Sequence, residues 1–486
     1  MATGSTASSH TEGDDPQEPE EAAAEAPAEP PEAEPGAAAQ HDVARRAFFL
    51  EFSKQAVTVV GQVAGMANIV SRTSGSAASS LLGLNEEPAP PRASAVVRSG
   101  RSGGSAVVSR SDAPAAADDA FRSPYRLVDD ELMMLDQRGI PESLDEVAAK
   151  RGSDVAYYLR LGVSRGGPLM AQVAAYGLAL TAKERSGQPL ASREVELRRT
   201  RRALAASRSS SRLLAWAMER MEAVEVGLGG DADGADVAAA LRAEADAIAT
   251  EIQVHHSAIA SHIAELLPAP DGRPLGVLLH GDTGALAGGL VGTALSAVQR
   301  LVQSGRDLSV FVTETRPFMD GARLASWQLR QGDVEHKIIA DSAVAWLLAR
   351  EPVDFVLVGA EWIAMDGDVA GVVGSRAIAQ QAAAALPGPD GSRPRVIVCG
   401  LSANIDPATP DGAAIPVELR SARDMAAYLS GVPIRARDVL LPATDVMPHA
   451  TIDTLVTERG VTSAPAAPAM AALAAVADSS PQAGPG

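Results

Sequence analysis

The sequence predicts an α/β protein in which a helical subdomain precedes a doubly wound parallel sheet. From residue 269 onward, short apolar runs alternate with helical segments, the pattern of parallel strands whose connecting helices cover both faces. Upstream, apolar residues recur at helical spacing over 203–221 and 235–267. The runs that predict strands are residues 275–279, 308–312, 337–340, 353–358, 395–399 and 439–441. We therefore assign 121–268 to a helical cap subdomain and 269–461 to a Rossmann-like α/β domain.

Both ends of the chain lie outside this predicted folded part. Residues 1–42 are mainly Ala, Pro and Glu, with ten acids between Glu12 and Glu34 and no Lys or Arg. A segment with so few large apolar side chains does not bury enough surface to offset its ordering entropy, so we expect a disordered acidic tail. Residues 462–486 are rich in Ala and Pro, and we expect a second disordered tail there.

The segment 43–84 has a different pattern. Apolar residues recur three and four positions apart and form a seam on one helix face: Phe49, Phe52, Ala56, Val59, Val63, Met66 and Val70. Thr58, Gln62 and Asn68 interrupt the run, so an amphipathic docking helix is favoured over a membrane span. This helix either recognises a partner protein or packs on the main domain. Residues 85–120, rich in Pro, Ser, Gly, Ala and Arg, predict a flexible linker.

The composition argues against several classes of function. The net charge is −19 and no basic stripe is present, so we do not expect nucleic acid as a partner. Cys399 is the only cysteine, which rules out an intramolecular disulfide framework and suits a reducing cytoplasm. His255, His256 and His262 have no carboxylate at ligand spacing, so we expect no metal site. We also expect no secretory signal and no cofactor.

The stretch 161–178 contains an anion-binding pattern. Arg165, Gly166 and Gly167 come directly before Pro168, which suits the first position of a helix. Backbone N–H groups at a helix N-terminus, beside a guanidinium, form a site for phosphate. A capped helix with a solvated arginine would give the same pattern.

The stretch 275–289 joins a strand to a helix through a glycine-rich turn. The apolar run 275–279 is followed by His280, Gly281, Asp282, Thr283 and Gly284, and then by helix-forming residues. Open parallel sheets bind ligands at such turns, at the carboxyl ends of their strands. Glycines there let the backbone approach a ligand. We therefore expect the binding site at this turn.

Further stretches downstream extend this pattern. Residues 310–317 read Val-Phe-Val-Thr-Glu-Thr-Arg-Pro, residues 320–324 read Asp-Gly-Ala-Arg-Leu, and residues 358–361 read Val-Gly-Ala-Glu. With the turn, they make the chain similar to the methylthioribose-1-phosphate isomerases. More distantly, the chain resembles ribose-1,5-bisphosphate isomerases and the regulatory subunits of eukaryotic translation initiation factor 2B. The resemblance covers about residues 125–461.

The resemblance implies roles for individual residues. The isomerases bind the phosphate end of their substrate with an Arg-Gly-Ala-Pro motif, which falls on Arg165, Gly166 and Gly167 here. A second substrate-binding arginine of the family falls on Arg208. The family interconverts an aldose phosphate and a ketose phosphate with a cysteine and an aspartate as acid/base groups. Glu361 takes the position of that aspartate.

Several positions depart from the family pattern. Gly281 stands in place of the catalytic cysteine and has no side chain to carry a proton. Asp320 stands where a glutamine contacts substrate, which adds negative charge near an anionic ligand. Gly371 and the following valine replace an Asn-Lys pair, and Arg376, one helical turn further, would restore the missing charge. These changes indicate that the ligand or the chemistry differs.

Two hypotheses of different class follow. In the first, the chain binds a phosphorylated sugar or nucleotide, is non-catalytic or has altered chemistry, and acts through assembly with a partner that docks on 43–84. In the second, it is an aldose-ketose isomerase of a phosphorylated pentose in which Asp282 and Glu361 form a carboxylate pair that supplies acid and base. In either case we expect a homo-oligomer, most simply a dimer.

Overall fold

The computed structural model describes residues 123–128, 130–268, 272–387, 392–426 and 435–478. The predicted tail 1–42, docking helix 43–84 and linker 85–120 lie outside the described residues. Within the described ranges, no helix is long and apolar enough to cross a membrane.

The N-terminal part is helical, as predicted, and begins with a small antiparallel sheet. In this sheet β1 (Tyr125–Val128) pairs with β2 (Glu131–Leu135), and β2 pairs with β3 (Glu146–Ala149). The helices that follow are α1 (Gly152–Leu161), α2 (Gly167–Arg185), α3 (Leu190–Ala205), α4 (Arg212–Gly227) and α5 (Gly234–Leu266). Helix α2 is buried from Leu169 to Ala182 because its residues are apolar or small on every face, and it packs against α1, α4 and α5. The helical layer is therefore built around α2.

The C-terminal part is the predicted doubly wound α/β domain. Its first half contains β4 (Leu275–His280), α6 (Ala285–Gly288), α7 (Ala294–Gln303), β5 (Leu308–Thr313), a π-helical turn (Gly321–Ala325), α8 (Ser326–Gln331), β6 (His336–Ile339), α9 (Val344–Leu348) and β7 (Phe355–Gly359). Its second half contains β8 (Trp362–Ile363), β9 (Val369–Val372), α10 (Ser375–Ala383), β10 (Arg395–Cys399), α11 (Ala422–Ala426), β11 (Thr444–Met447), β12 (Thr454–Thr457), β13 (Gly460–Ser463) and α12 (Ala467–Asp478).

The main sheet has the strand order β13-β12-β10-β7-β4-β5-β6. All neighbours are parallel except β12 and β13. After β4 the chain moves outward to β5 and β6, and then returns to β7 on the other side of β4 before moving outward again to β10 and β12. The connections after β4 and β7 therefore diverge, which opens a crevice at the carboxyl ends of these two strands. A separate antiparallel sheet has the order β11-β9-β8.

Two local predictions are wrong. Residues 439–441 do not form a strand; Leu440 is 79% exposed, and the strand begins at Thr444 and pairs with β9. The disordered tail predicted over 462–486 is wrong for residues 462–478, because β13 pairs with β12 and α12 buries Met470 completely against the core of the α/β domain, and residues 479–486 lie outside the described residues. Alanine-rich composition alone suggested a loose tail, but it is also compatible with a helix that packs by a few large side chains.

Candidate ligand-binding site

A cavity of about 140 Å³ lies in this crevice. Its wall combines the turns after β4 and β7 with the N-terminus of α2 and the segment before α4. The structure brings together in this wall the following residues that the sequence singled out: Arg165, Gly166, Gly167, Arg208, Gly281, Asp282, Asp320 and Glu361. The helical subdomain and the sheet thus each supply one side of the cavity.

Asp282 follows the strand β4 and is held by two donors. Its Oδ1 accepts hydrogen bonds from the backbone N–H of Gly284 at 2.9 Å and from Gln328 Nε2 at 2.8 Å. Its Oδ2 is shielded from solvent and has no hydrogen-bond partner among the described residues. Gly281, just before it, has a φ of 80°, and its N–H donates to Thr315 Oγ1 at 3.1 Å. The turn therefore presents one free carboxylate oxygen to the cavity.

Glu361 follows β7 and meets the N-terminus of α2. The backbone N–H of Gly167 and the Ser211 side chain lie against its carboxylate and lower its pKa. A Cβ at Gly167 would lie 2.9 Å from Glu361 Oε2, so a side chain there would displace the Glu361 carboxylate. The N–H group that the sequence assigned to a phosphate is thus directed at Glu361 in this structure.

The two carboxyl groups share an electrostatic environment. Desolvation raises the pKa of Asp282 to about 7 and that of Glu361 to about 7. Arg165 lowers both values and Asp320 raises both. Near neutral pH each group exchanges readily between its acid and base forms, as groups that move protons in catalysis do.

Arg165 is the central cation of the cavity. Its Nε lies 2.8 Å from Asp320 Oδ1 and 2.9 Å from Oδ2, and its guanidinium stacks over the Phe318 ring at 4.0 Å. Its backbone N–H donates to Gln137 Oε1 at 3.0 Å, and Gln137 Nε2 donates to the carbonyl oxygen of Leu286 at 2.8 Å. Gln137 therefore ties the loop before α2 to the turn after β4.

A second pair of cations lies near Arg165, since the Arg420 guanidinium is 5.9 Å from the centroid of the same Phe318 ring. Arg208 Nη1 is 3.6 Å from Glu418 Oε1 and makes no hydrogen bond within the described residues. Arg420 Nη1 donates to the same Glu418 oxygen at 2.8 Å, and its Nε lies 3.1 Å from Asp424 Oδ2. Because one carboxylate is shared between two guanidinium groups, Arg208 is the less completely paired of the two.

The remaining predicted residues have different locations. Gly166 has a φ of 94°, and a Cβ there would lie 2.5 Å from the Cβ of Ala287, so it allows the loop before α2 to touch α6. Gly371 lies in β9 opposite Asp445, and a Cβ at Gly371 would meet Ser375, so the cavity is not bordered by this position. Arg376 is exposed, with Nη1 3.3 Å from the carbonyl oxygen of Val446. Neither Gly371 nor Arg376 lines the cavity.

Three further residues in the wall had no predicted role in the site. No sequence motif around Arg420 indicates a role in the site, because this residue reaches the cavity from a segment more than 200 residues away from Arg208. His280 lines the cavity, is buried, and has its Nδ1 2.7 Å from Thr313 Oγ1. Cys399 ends β10 in the same wall, and burial raises the pKa of its thiol, so it stays protonated and is a poor nucleophile.

The histidines of α5 have structural contacts. His256 Nδ1 lies 2.7 Å from the carbonyl oxygen of Val291, and His262 Nδ1 lies 3.0 Å from that of Thr457. Elsewhere, oxygens of Asp366 and Asp368 and a ring nitrogen of His449 come within 4.8 Å of one another. His449 Nδ1 already hydrogen-bonds Asp368 Oδ1 at 2.8 Å, and we assign no ligand to this group.

Comparison with known proteins agrees with this architecture. A methylthioribose-1-phosphate isomerase of Chloroflexus aurantiacus is 36% identical over 344 residues, which cover 69% of this chain and 94% of that protein. The crystal structure of a 5-methylthioribose 1-phosphate isomerase from Pyrococcus horikoshii OT3 superimposes with a TM-score of 0.63 at 25% identity, covering 73% of this chain and 96% of that one.

A second structural relative belongs to a translation factor. The crystal structure of the translation initiation factor eIF-2B, subunit delta, from A. fulgidus has a TM-score of 0.57 and 26% identity, covering 71% of this chain and 96% of that one. The model of the initiation factor 2 subunit family matches residues 163–464, which contain the whole cavity wall. The chain therefore belongs to the initiation factor 2 subunit family.

Proposed function

We propose that this protein binds a phosphorylated sugar in the cavity at the carboxyl ends of β4 and β7. The observation that carries the proposal is the set of buried polar atoms in the wall that make no hydrogen bond within the described residues: Arg208 Nη1, Ser211 Oγ, His280 Nε2, Asp282 Oδ2, Asp320 Oδ1, Arg420 Nε and Thr444 Oγ1. Three of these atoms, Arg208 Nη1, Asp320 Oδ1 and Arg420 Nε, are still in ion-pair contact with Glu418, Arg165 and Asp424. Buried polar atoms of native proteins are normally hydrogen-bonded, so such a cluster favours a polar ligand.

The wall atoms without a hydrogen bond include both donors and acceptors, and these two kinds of atom suggest the orientation of the ligand. Arg208 and Arg420 offer N–H donors, which suit a phosphate. Asp282 and Asp320 offer carboxylate oxygens, which suit the hydroxyl groups of a sugar. The names of the isomerase relatives, which act on methylthioribose 1-phosphate, support the same class of ligand.

The test is ligand-induced stabilisation. Wild type is titrated with methylthioribose 1-phosphate, ribose 1-phosphate, ribose 5-phosphate and nucleoside monophosphates, and its unfolding midpoint is followed. We expect a saturating ligand to stabilise the protein by about 3–4 kcal/mol. Arg208→Ala and Arg165→Ala should remove most of this stabilisation, because each deletes a cation of the cavity wall.

The matched control is Arg201→Ala. Arg201 is as buried as Arg208 and pairs with Glu222 and Glu225, on the surface of the helical layer, so its loss should leave the ligand-induced stabilisation intact. If both cavity variants keep the full stabilisation, the proposed phosphate contacts are wrong. If no phosphorylated sugar or nucleotide stabilises the wild type, the proposal as a whole fails.

A second candidate function is aldose-ketose isomerisation with Asp282 and Glu361 as the acid/base pair. It is favoured by the pKa values of about 7 in both side chains. Such a reaction moves a proton between adjacent carbons and another between their oxygens, and two carboxyl groups that are half protonated near neutral pH are suited to both transfers. Gly281 has no side chain for this purpose, so Asp282 would carry the proton at the turn after β4.

Turnover decides between binding alone and isomerisation. We expect wild type to give no product from methylthioribose 1-phosphate, because Gly281 and Asp320 alter both the proton carrier and the substrate contacts. Product formation by wild type that disappears in Asp282→Asn and in Glu361→Gln, with ligand binding retained, would establish the isomerase instead.

We also propose that the chain is a cytoplasmic homodimer and that 43–84 docks a partner protein. The likeness to a protein described as an initiation factor subunit supports assembly. Light scattering should give twice the chain mass of 49.9 kDa. A monomer at micromolar concentration would contradict the homodimer.

A further inference from the structure

We infer that the ligand of this cavity carries an ammonium group in addition to its phosphate, and that Asp320 selects for it. The inference rests on the proposed function, since it concerns the same site, and it names the class of ligand more closely: a phosphorylated amino sugar.

The charges of the wall are balanced rather than cationic. Three arginines, Arg165, Arg208 and Arg420, line the wall. They face the charges of Asp320 and of Glu418, which lies between two of the arginines. Asp282 and Glu361, whose pKa values are about 7, are each about half charged near neutral pH and together supply about one further negative charge. A site for a ligand that is only anionic gains from an excess of positive charge. A balanced wall instead matches a ligand that carries charges of both signs.

Among the acids of the wall, Asp320 has no role in the proton transfers that we assign to Asp282 and Glu361. It lies at the start of the π-helical turn, with a side chain that is 9% exposed. Arg165 Nε donates to its Oδ2, which leaves Oδ1 without a hydrogen bond among the described residues. Oδ1 lies 2.8 Å from the same Nε and shares its charge, but it accepts no directed hydrogen bond and keeps acceptor capacity for a donor on a ligand.

Phosphate binding weakens the ion pair that compensates the negative charge of Asp320. Arg165 stacks on the Phe318 ring and, within the described residues, forms its ion pair with Asp320, so a phosphate that approaches Arg165 competes with Asp320 for the same guanidinium. A buried charge that loses its partner is strongly unfavourable. An ammonium group on the ligand restores the pairing, because Asp320 gains a cation when the phosphate engages Arg165.

Asp282 provides the second contact for the same group. Its Oδ2 is also buried without a hydrogen bond in the described structure, and the charge of Asp320 is close enough to raise its pKa. An ammonium has three N–H donors and satisfies both oxygens, whereas a hydroxyl has one and satisfies a single oxygen. The charge-assisted bonds of the ammonium are also the stronger ones.

The experiment compares matched ligands that differ only in one amino group. The dissociation constants of ribose 5-phosphate and 2-amino-2-deoxyribose 5-phosphate, and of glucose 6-phosphate and glucosamine 6-phosphate, are measured by calorimetry for the wild type, Asp320→Asn and Glu222→Gln. Glu222 pairs with Arg201 outside the cavity, so its substitution controls for the loss of one acid. We expect wild type and Glu222→Gln to prefer the amino member of at least one pair by about tenfold.

In Asp320→Asn the preference should fall to about equal affinity, because the phosphate contacts remain and the carboxylate partner of the ammonium is gone. A role of Asp320 that is merely structural would weaken both members of a pair alike and leave their ratio unchanged. Equal affinity in wild type, or a ratio that Asp320→Asn does not alter, overturns the inference while leaving phosphorylated-sugar binding established. If neither member of either pair binds, the proposed function fails with it.

Discussion

Glu361 has an environment that makes the stability of the protein depend on pH. Its folded-state pKa is raised from 4.5 to about 7 by desolvation, so folding favours the protonated form. This contribution is complete below the unfolded pKa of 4.5 and is lost as pH rises through about 7. Protonation of Glu361 thus stabilises the folded protein at acidic pH, whereas near pH 7 about half of the molecules carry the charged form.

Glu361→Gln should remove this dependence, because an amide resembles the protonated acid at every pH. The unfolding free energy of the variant minus that of wild type should rise by about 1–2 kcal/mol from about pH 5 to about pH 8. This is less than the full pKa shift of Glu361 would give, because the side chain is only half-buried. Urea unfolding at both pH values measures it. The same substitution at Glu222, on the surface of α4, separates a cavity effect from the removal of any acid. A relative stability that falls with pH would contradict the assignment.

Gly281, in the turn after β4, has a backbone conformation that restricts which residues can replace it. Its φ of 80° lies in the left-handed region, and a Cβ there would lie 3.0 Å from Val372 Cγ1. Gly281→Cys should therefore lower the unfolding free energy by about 1–2 kcal/mol. It should not produce turnover of methylthioribose 1-phosphate, because the contacts around Asp320 remain altered.

Val372→Ala is the matched background for this test. It removes the methyl group that the new Cβ would meet, so Gly281→Cys should cost less stability in Val372→Ala than in wild type. Isomerase activity in Gly281→Cys would contradict the expectation, and would mean that the cavity still holds the sugar at reacting distance.

At the scale of elements, the strands of the main sheet differ in how well the sequence predicts them. β4, β5, β7 and β10 are predicted almost to the residue, because strands buried on both faces of a parallel sheet are continuous apolar runs. The run at 439–441 is equally apolar, but the backbone there forms an isolated antiparallel bridge between Leu419 and Pro442 and no strand ladder, and Leu440 is exposed. β12 was not predicted because both of its end residues, Thr454 and Thr457, are polar although buried. An apolar run predicts that a segment is buried, but it does not specify which strand the segment pairs with.

Sequence patterns likewise predict only some of the residues of the candidate site. The turn after β4 and the loop before α2 have local glycine patterns, so their residues could be assigned from sequence. Arg420 and Gln328 reach the wall or its hydrogen bonds from distant segments and have no pattern of their own. The closure of the α2 N-terminus by Glu361 is likewise a tertiary contact, which no spacing along the chain specifies.

Helix α12 gives an element-scale test of the corrected C-terminus. Met470 is completely buried among the core residues of the α/β domain. Met470→Ala should lower the unfolding free energy by about 2–4 kcal/mol, because it leaves a cavity in that core. Leu386→Ala, at a position that is 89% exposed, is the control and should change stability by less than about 0.5 kcal/mol. Equal effects of the two substitutions would mean that α12 does not pack as described.

At the scale of the whole molecule, the first of the described elements is β1. Tyr125 and Leu127 of β1 and Leu132 and Met134 of β2 are buried against the helical layer, and the Tyr125 hydroxyl donates to Gln172 Oε1 at 2.9 Å. The small antiparallel sheet is therefore part of the core that supports α2 and, through α2, the cavity. The composition of 85–120 separates this core from the segment 43–84.

Deletion of residues 1–120 should accordingly leave a soluble protein with an unchanged unfolding midpoint and the full ligand-induced stabilisation. It should abolish association with whatever partner 43–84 binds.

Deletion of residues 1–135 is the matched control, because it also removes β1 and β2. Each of their buried side chains contributes about 2–5 kcal/mol, and a domain is stable by only about 5–15 kcal/mol in total, so this shorter chain should not fold. Thermal unfolding and light scattering distinguish the outcomes. A 121–486 fragment that aggregates would mean that 43–84 packs on the core as an integral part of it, and the docking role proposed for that segment would then be wrong.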